Sequence, residues 1–552
     1  MTDYEKMADL LLPDIDKEPS YYEDLYKKRE LPEGARVTRV APSPTGYLHL
    51  GTLFVALVNR MIADSSKGIF YTRIEDTDKK REIEGGIADI INGLNNFGIN
   101  IDEGFVSADK QVGDYAPYQQ SQRAEIYQCY VKSLIKQGLA YPCFCTAEEL
   151  SAVRETQEAQ KIRTGYHGQW AKHRNITFEE AKALKESGKP YVIRLKSPGD
   201  ESRHITFDDG IKGKIEMPEN DEDFVLLKSD GIPTYHFAHA IVDHLMCTTH
   251  VIRGDEWISS VPKHIQLFKL LGFKVPKYIH VSPIMKLDNG AKRKISKRKD
   301  PEAAVHYFIE QGFVAESVIE YLMTIAASDF EDWRRANQSA SYKTFNFNFK
   351  KMSASGALFD IDKLLDVAKN YISKLSSEKV VEYLVEWAKV YDTEFYNLLS
   401  RDLNYTTAIF SIDRDGPKPR KDIAKWNEAK EYCEYFFDEI YTPCYDLPEN
   451  INKQDAIKIL EAYIDIYNAH DDKNEWFEKI KSVCPVANYA DNTKEYKANP
   501  EKYNGNPADA STIIRLAITG RRNTPDLCSI MQVLGYDRSI ARLKSAVSFY
   551  KN

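Results

Sequence analysis

The chain has 552 residues, 43% of them hydrophobic and 29% charged, with a formal net charge of −8. That balance suits a globular protein of three to five domains and argues against a disordered chain or a generic basic nucleic-acid coat. No apolar run approaches the length of a membrane span, and eight scattered cysteines suit reduced thiols in the cytoplasm better than a disulfide frame.

Residues 1–36 read as a polar, tyrosine-rich extension with one amphipathic helix, and its acidic start is unlike a signal peptide. The next stretch, Val37 to Asp78, is the most informative. RVTRVA alternates like a strand entering a sheet, and Pro42 and Pro44 stiffen its exit. Gly46 and Gly51 are expected to let the backbone turn tightly and approach a ligand. A helix from about Leu50 to Ala63 then presents free N–H groups and a positive dipole end, a site for phosphate without a Walker A sequence. His49 in that loop is placed to donate a hydrogen bond to phosphate. The βαβ unit is expected to span 37–114.

Residues 115–231 intervene before the next site motif: a helical pattern (SQRAEIYQCYVKSLIKQG), a turn (YPCFC), charged helices and a strand (YVIRLKSPGD). The nucleotide fold is expected to resume over 232–287. Region 288–374 carries KRKISKRK, Lys292 to Lys299, with six cations in eight residues. From 375 to 552, long amphipathic periodicities such as EKVVEYLVEWAKVY and AIKILEAYIDIYNAH read as an all-helical domain. Cations cluster again at Lys418–Lys421 and Arg521–Arg522. Singly, such runs are ordinary solvated surface; beside a nucleotide site they point to local polyanion binding.

A Pro-Thr-Gly-x-x-His-x-Gly loop and a distant Lys-Ile-Ser-Lys-Arg loop together make a two-part adenylate-forming site. The sequence here resembles the class I aminoacyl-tRNA synthetases, and within them the bacterial-type glutamyl-tRNA synthetases. The resemblance is carried by RVAPSPTGYLHLGT, YTRIEDTD, DGIPTYHFAHAIVDHLMCTTHVIRGDEW, KISKRK, MSASGALFDIDKL and IIRLAITGRRNTPDLCSIMQVLG, in the family's order. It implies an α/β Rossmann-like catalytic domain in two halves (37–114 and 232–287), split by an inserted α+β domain (115–231) that holds the tRNA acceptor end. A stem-contact region (288–374) and an all-α anticodon-binding region (375–552) would follow.

The implied reaction is ATP-dependent ligation of L-glutamate to the 3′ end of tRNA(Glu), with Mg²⁺ as cofactor and a monomer as the family's expected state. His49, Gly51 and Lys297 would bind ATP and, with Lys294, stabilise charge building on phosphate. Thr52 and Ile295 depart from the generic class I signatures in the way usual for glutamyl enzymes. Arg39, Ala41, Ser43, Glu75, Tyr235, His239 and Arg253 match the glutamate pocket. In it a fixed arginine suits the side-chain carboxylate and Glu75 the ammonium. Each has a plainer alternative: His49 as a loop histidine, Lys297 as a surface lysine, and the two arginines as partners of Asp76, Asp78 or Asp255. His239 stands where some relatives carry asparagine. Arg420, in KPRKDIAKW, is closest to the arginine that reads the last anticodon base in selective members, and a solvated cation is the alternative there.

Two metal readings are weighed. His236, His239 and His244 do not share one helical face. Cys143 and Cys145 form the Cys-x-Cys pair that some bacterial relatives use for zinc, with Tyr166, His167 and His173 as further donors. Trp170 stands near the third cysteine's place, so zinc is not expected. The rival functions are a glutaminyl enzyme, a truncated paralogue, a small-molecule nucleotidylyltransferase and a catalytically inactive tRNA-binding protein. The sequence leaves open whether tRNA(Gln) is also charged.

Overall fold

In the computed structural model, which describes every residue except Lys79, Asp415 and Pro417, strand Val37–Val40 lies parallel to Ile69–Thr72. The helix joining them, Leu50–Asp64, packs on both strands, and its Leu50, Leu53, Leu57 and Ile62 are buried. A second parallel pair, His250–Gly254 with Lys277–Val281, is joined by helix Val261–Leu270. The pairs lie side by side, with the Thr249 N–H donating to the Val37 carbonyl at 3.1 Å. Helical crossovers between parallel strands bring all four C-terminal strand ends to one edge, where such folds bind ligands.

The chain divides into two compact units, residues 1–308 with 318–360 and residues 309–317 with 361–552. In the first unit, the segment between the strand pairs is α+β. Strands Ala140–Cys143, Val192–Leu195 and Val225–Leu227 form an antiparallel sheet in that order. A hairpin, His204–Asp209 with Gly213–Pro218, extends from it. Helices Ala147–Ala159 and Phe178–Glu186 start at capping boxes built on Thr146 and Thr177.

The N-terminal extension holds two helices, Asp3–Leu11 and Pro19–Leu25, where the periodicity suggests one. The second is seven residues long, too short to show a repeat, and is held by tertiary contact: Tyr22 is buried as it packs on helix Ala124–Lys136. On that helix, Lys132 Nζ donates to the Leu12 and Ile15 carbonyls at 3.0 and 2.9 Å and pairs with Asp9 at 2.8 Å.

Among the described residues of the second unit there are helices and no ladder strands. Its core joins Leu384, Phe395, Leu460, Tyr463, Ile514 and Leu543. The periodic segments noted in the sequence form helices Ser377–Tyr391 and Lys453–Ile466. Helix Ile361–Ile372 belongs here too, because Ile372 enters this core.

Candidate active site

The four strand ends open on a cavity of about 1120 Å³. Its walls include Ala41 to Ser43, Glu75, Arg253, Trp257 and Ser282 to Ile284, residues at or just beyond those ends.

One end of the cavity is built for phosphate. His49 caps helix Leu50–Asp64, its Nδ1 accepting the Gly51 N–H at 2.9 Å. An acceptor at Nδ1 leaves the proton on Nε2, so the ring presents a donor. Burial, with Lys297 and Lys294 nearby, holds the imidazole below its ordinary pKa and keeps it neutral near pH 7. Neither Gly46 nor Gly51 has a positive φ, so no left-handed backbone calls for glycine there. Gly51 serves close approach instead, since a Cβ there would lie 3.2 Å from His49 Nδ1. The lysine loop follows the hairpin Met285–Asp288 with Ala291–Lys294. Arg293 in it is bidentate to Asp300 at 2.6 and 2.7 Å and meets Asp288 at 2.7 Å, so it is scaffold. Lys294 lines the cavity. Lys297 does not, but its Nζ donates to the Tyr47 carbonyl, which brings the two loops into contact. Burial pulls the Lys297 pKa down, with Asp89 opposing.

The other end holds three buried arginines with different partners. Arg39 Nε lies 3.1 Å from Asp243 Oδ2, and Arg73 bridges Asp243 Oδ1 at 2.6 Å and Glu75 Oε1 at 2.9 Å. Burial opposes charge on Asp243, yet Arg39 and Arg73 hold its carboxyl well below the usual range. Glu75 Oε1 also accepts from Gln120 at 3.1 Å, while Glu75 Oε2 is buried with no partner. An unpartnered carboxylate oxygen at a cavity wall is costly unless a ligand donor meets it.

Arg253, 5% exposed, has no carboxylate within ion-pair distance among the described residues. It donates to His280 Nε2 (3.1 Å), Tyr235 Oη (3.3 Å), the Trp257 carbonyl (3.3 Å) and His264 Nδ1 (3.2 Å). Burial first, and the cations nearby, push His264 well below its ordinary pKa and lower His280 as well, so both rings are neutral acceptors. The alternative pairings are therefore corrected. Arg39 takes Asp243; Asp76 is held by Gln119, Asp78 by Arg81 and Asp255 by Lys212.

Of the expected pocket residues, Arg39, Ala41, Ser43, Glu75, Tyr235 and Arg253 line the cavity. His239 does not, and its expected place in the pocket is corrected. It sits one helical turn behind Tyr235, fully buried, with Nδ1 2.7 Å from Asp243 Oδ2 and Nε2 3.0 Å from Tyr278 Oη. Trp257, packed on Tyr235 at 4.4 Å, and Lys228 also line the cavity and were missed. So were Arg73 and Asp243, the second of which carries a signal as the single carboxylate in an apolar helix stretch (HAIVDHL).

The family model for class I tRNA synthetases (E and Q), catalytic domain, matches residues 36–366. The chain belongs to this synthetase family. An anticodon-binding domain model matches residues 495–547. The chain is 50% identical to a glutamate–tRNA ligase of Clostridium perfringens over 98% of its own length and 99% of the relative's. It is 45% identical to one of Sorangium cellulosum, over 96% and 97%. A crystal structure of a glutamate tRNA ligase from Elizabethkingia meningosepticum in complex with its amino acid matches with TM-score 0.72 at 26% identity, covering 93% of this chain and 99% of that one.

Two further positions matter in a synthetase. Cys143, Cys145 and His173 place their donor atoms within 4.8 Å of one another. Tyr166 Oη lies 3.3 Å from Cys143 Sγ and 3.5 Å from Cys145 Sγ, whereas His167 turns to the Arg163 carbonyl at 3.3 Å. Burial raises the Cys145 thiol and the Tyr166 phenol. In the second unit, Arg420 is bidentate to Asp422 at 2.6 and 2.9 Å, outside the segment matched by the anticodon model. No helix among the described residues is long and apolar enough to cross a membrane.

Proposed function

We propose that the chain joins L-glutamate to the 3′ end of tRNA(Glu) through a glutamyl-adenylate, consuming ATP. The observation that carries this is Arg253, a buried guanidinium at the cavity wall met only by neutral acceptors. A cation so placed suits a carboxylate and gains little from glutamine's neutral amide. Glu75 Oε2 would receive the substrate ammonium, Arg39 and Tyr235 would orient the chain, and Ala41 and Ser43 would border it.

In the first step an α-carboxylate oxygen attacks the α-phosphorus, the bond to the β-phosphate oxygen breaks, and pyrophosphate leaves with the electron pair. His49 Nε2–H, the N-terminus of helix Leu50–Asp64, and Lys294 and Lys297 would neutralise charge on the phosphates. In the second step a ribose hydroxyl of the tRNA attacks the acyl carbon and AMP departs. Mg²⁺ would lower the charge on the phosphates. Such an ion would be held chiefly by the phosphates of the nucleotide and by water.

Arg420 would favour the final anticodon cytosine of tRNA(Glu), and the enzyme would act as a monomer. ATP–pyrophosphate exchange, with tRNA present, tests the reading: exchange with glutamate and not with glutamine supports it. Exchange with glutamine would favour the glutaminyl alternative, and none with either an inactive tRNA-binding protein. Charging tRNA(Glu) and tRNA(Gln) side by side decides the breadth.

A further inference from the structure

Besides Gln120 and Lys228, the inserted domain reaches the amino-acid end of the cavity through the tip of hairpin His204–Asp209 with Gly213–Pro218. There Gly210 N–H donates to the Tyr278 carbonyl at 2.9 Å and Lys277 Nζ to the Asp208 carbonyl at 2.6 Å. A Cβ on Gly210 would lie 2.6 Å from Ile279, so a side chain would lift the tip off the strand. Asp209, 4% exposed, spends both its oxygens here. Oδ1 accepts the Ile211 and Lys212 N–H groups, each at 2.9 Å. Oδ2 accepts the His280 N–H at 3.1 Å and meets His280 Nδ1 at 2.7 Å.

Those contacts fix a tautomer. A carboxylate at Nδ1 keeps the proton there and leaves Nε2 as an acceptor. Nε2 is the atom that takes Arg253 Nε–H. Arginine offers donors only, so the other tautomer would set an N–H against an N–H. On the same tip, Lys212 Nζ binds Asp255 Oδ2 at 3.0 Å and keeps that carboxylate, two residues from Arg253, occupied.

We propose that Asp209 and His280 are positioning residues for amino-acid selection: Asp209, on the inserted domain, sets the His280 tautomer that aims Arg253 at the substrate carboxylate. This rests on the reading of Arg253 as the carboxylate-binding cation. It also makes the seating of the inserted domain a condition of that binding.

The test is steady-state ATP–pyrophosphate exchange with the full chain and tRNA, comparing KM for glutamate and for ATP. His280→Leu removes the acceptor and should raise the glutamate KM about 10- to 100-fold while leaving the ATP KM within about twofold. His280→Gln offers an amide oxygen to Arg253 and an N–H to Asp209, so it should stay within about fivefold of the parent. Asp209→Asn should resemble His280→Leu, because an amide N–H toward Nδ1 selects the wrong tautomer. In the His280→Leu background Asp209→Asn should cost far less, because no ring tautomer remains there for residue 209 to set. If Asp209→Asn costs the same in both backgrounds, Asp209 merely closes its turn and the proposal is overturned. It is equally overturned if Arg253→Ala raises the glutamate KM selectively while His280→Leu, still folded by its melting curve, does not. If Arg253→Ala itself leaves the glutamate KM unchanged, the reading of the cavity fails instead.

Discussion

Replacing Arg253 by alanine removes a substrate contact without breaking an ion pair within the protein, and that asymmetry makes its effect separable. Arg253 is buried and bonded to two imidazoles, a phenol and a carbonyl, all neutral. Its loss strands no protein charge, but it leaves a bound carboxylate without its cation, a cost of about 2–5 kcal/mol. At about 1.4 kcal/mol per tenfold, the glutamate KM should rise about 30- to 4,000-fold, with the ATP KM nearly unchanged. Arg73→Ala is the internal contrast. Arg73 is fully buried between Asp243 and Glu75, and removing it strands carboxylate charge at a cost of about 3–5 kcal/mol of stability. Arg253→Ala should therefore lower the melting temperature of the catalytic unit less than Arg73→Ala, which should lower it by several degrees. Pyrophosphate exchange with each substrate varied in turn, beside scanning calorimetry, reads both quantities. Equal damage to the two KM values, or a melting loss in Arg253→Ala matching that in Arg73→Ala, would refute the reasoning.

Lys297→Ala should lower the rate of amino-acid activation about 10²–10³-fold while tRNA binding is little changed; activation within a few-fold of the parent would remove the lysine from the phosphate site. Arg420→Gln should raise charging of tRNA(Gln) relative to tRNA(Glu), once the Asp422 pair is open to competition by a base; an unchanged ratio leaves Arg420 a surface ion pair. Emission spectroscopy of the purified chain should find far less than one zinc per chain, because Cys143, Cys145 and His173 have only a raised phenol as fourth donor; stoichiometric zinc lost in Cys143→Ser would show that Tyr166 completes a site.

The parts of this site that were legible in sequence are those whose chemistry lies within a few consecutive residues. PSPTGYLHLG contains its own strand exit, cap and helix start, and the helix Leu50–Asp64 begins where the apolar period begins. Arg253 and Glu75 were legible through the resemblance, each lying in a motif that carries it, within or just beyond a strand end. His239 was misplaced by one helical turn: positions 235 and 239 share a face, but only Tyr235 reaches the cavity. The run KRKISKRK gives no sign that Arg293 is consumed by Asp288 and Asp300 while Lys294 and Lys297 face the phosphate loop. His264, His280 and Asp209 were beyond sequence reasoning. Their meaning arises only when a hairpin, a helix and a strand distant in the chain meet at one guanidinium.

The same neutral histidines make the catalytic unit sensitive to acid in a predictable direction. His239 and His264 are fully buried; burial drives His239 down to about 3 and His264 well below 6.5. Unfolded, each would bind a proton near 6.5, so between that value and the folded one unfolding takes up a proton per ring. A base with a depressed folded pKa contributes stability that is full above the unfolded value and lost as pH falls below it. Two rings correspond to a slope of about 3 kcal/mol per pH unit. Asp243 adds to the loss only below 3.8, since its folded pKa is depressed and its contribution is complete above that value. The melting temperature of the catalytic unit, identified as the transition that Arg73→Ala lowers, should be flat from pH 8 to 7 and fall steadily from 6.5 to 5. His264→Gln, which keeps an amide acceptor for Arg253 but cannot titrate, should flatten that fall by about 1.4 kcal/mol per pH unit. A transition that holds level down to pH 5 would mean these rings are not neutral at the heart of the fold, and the account of Arg253 as a cation met only by neutral acceptors would fall with it.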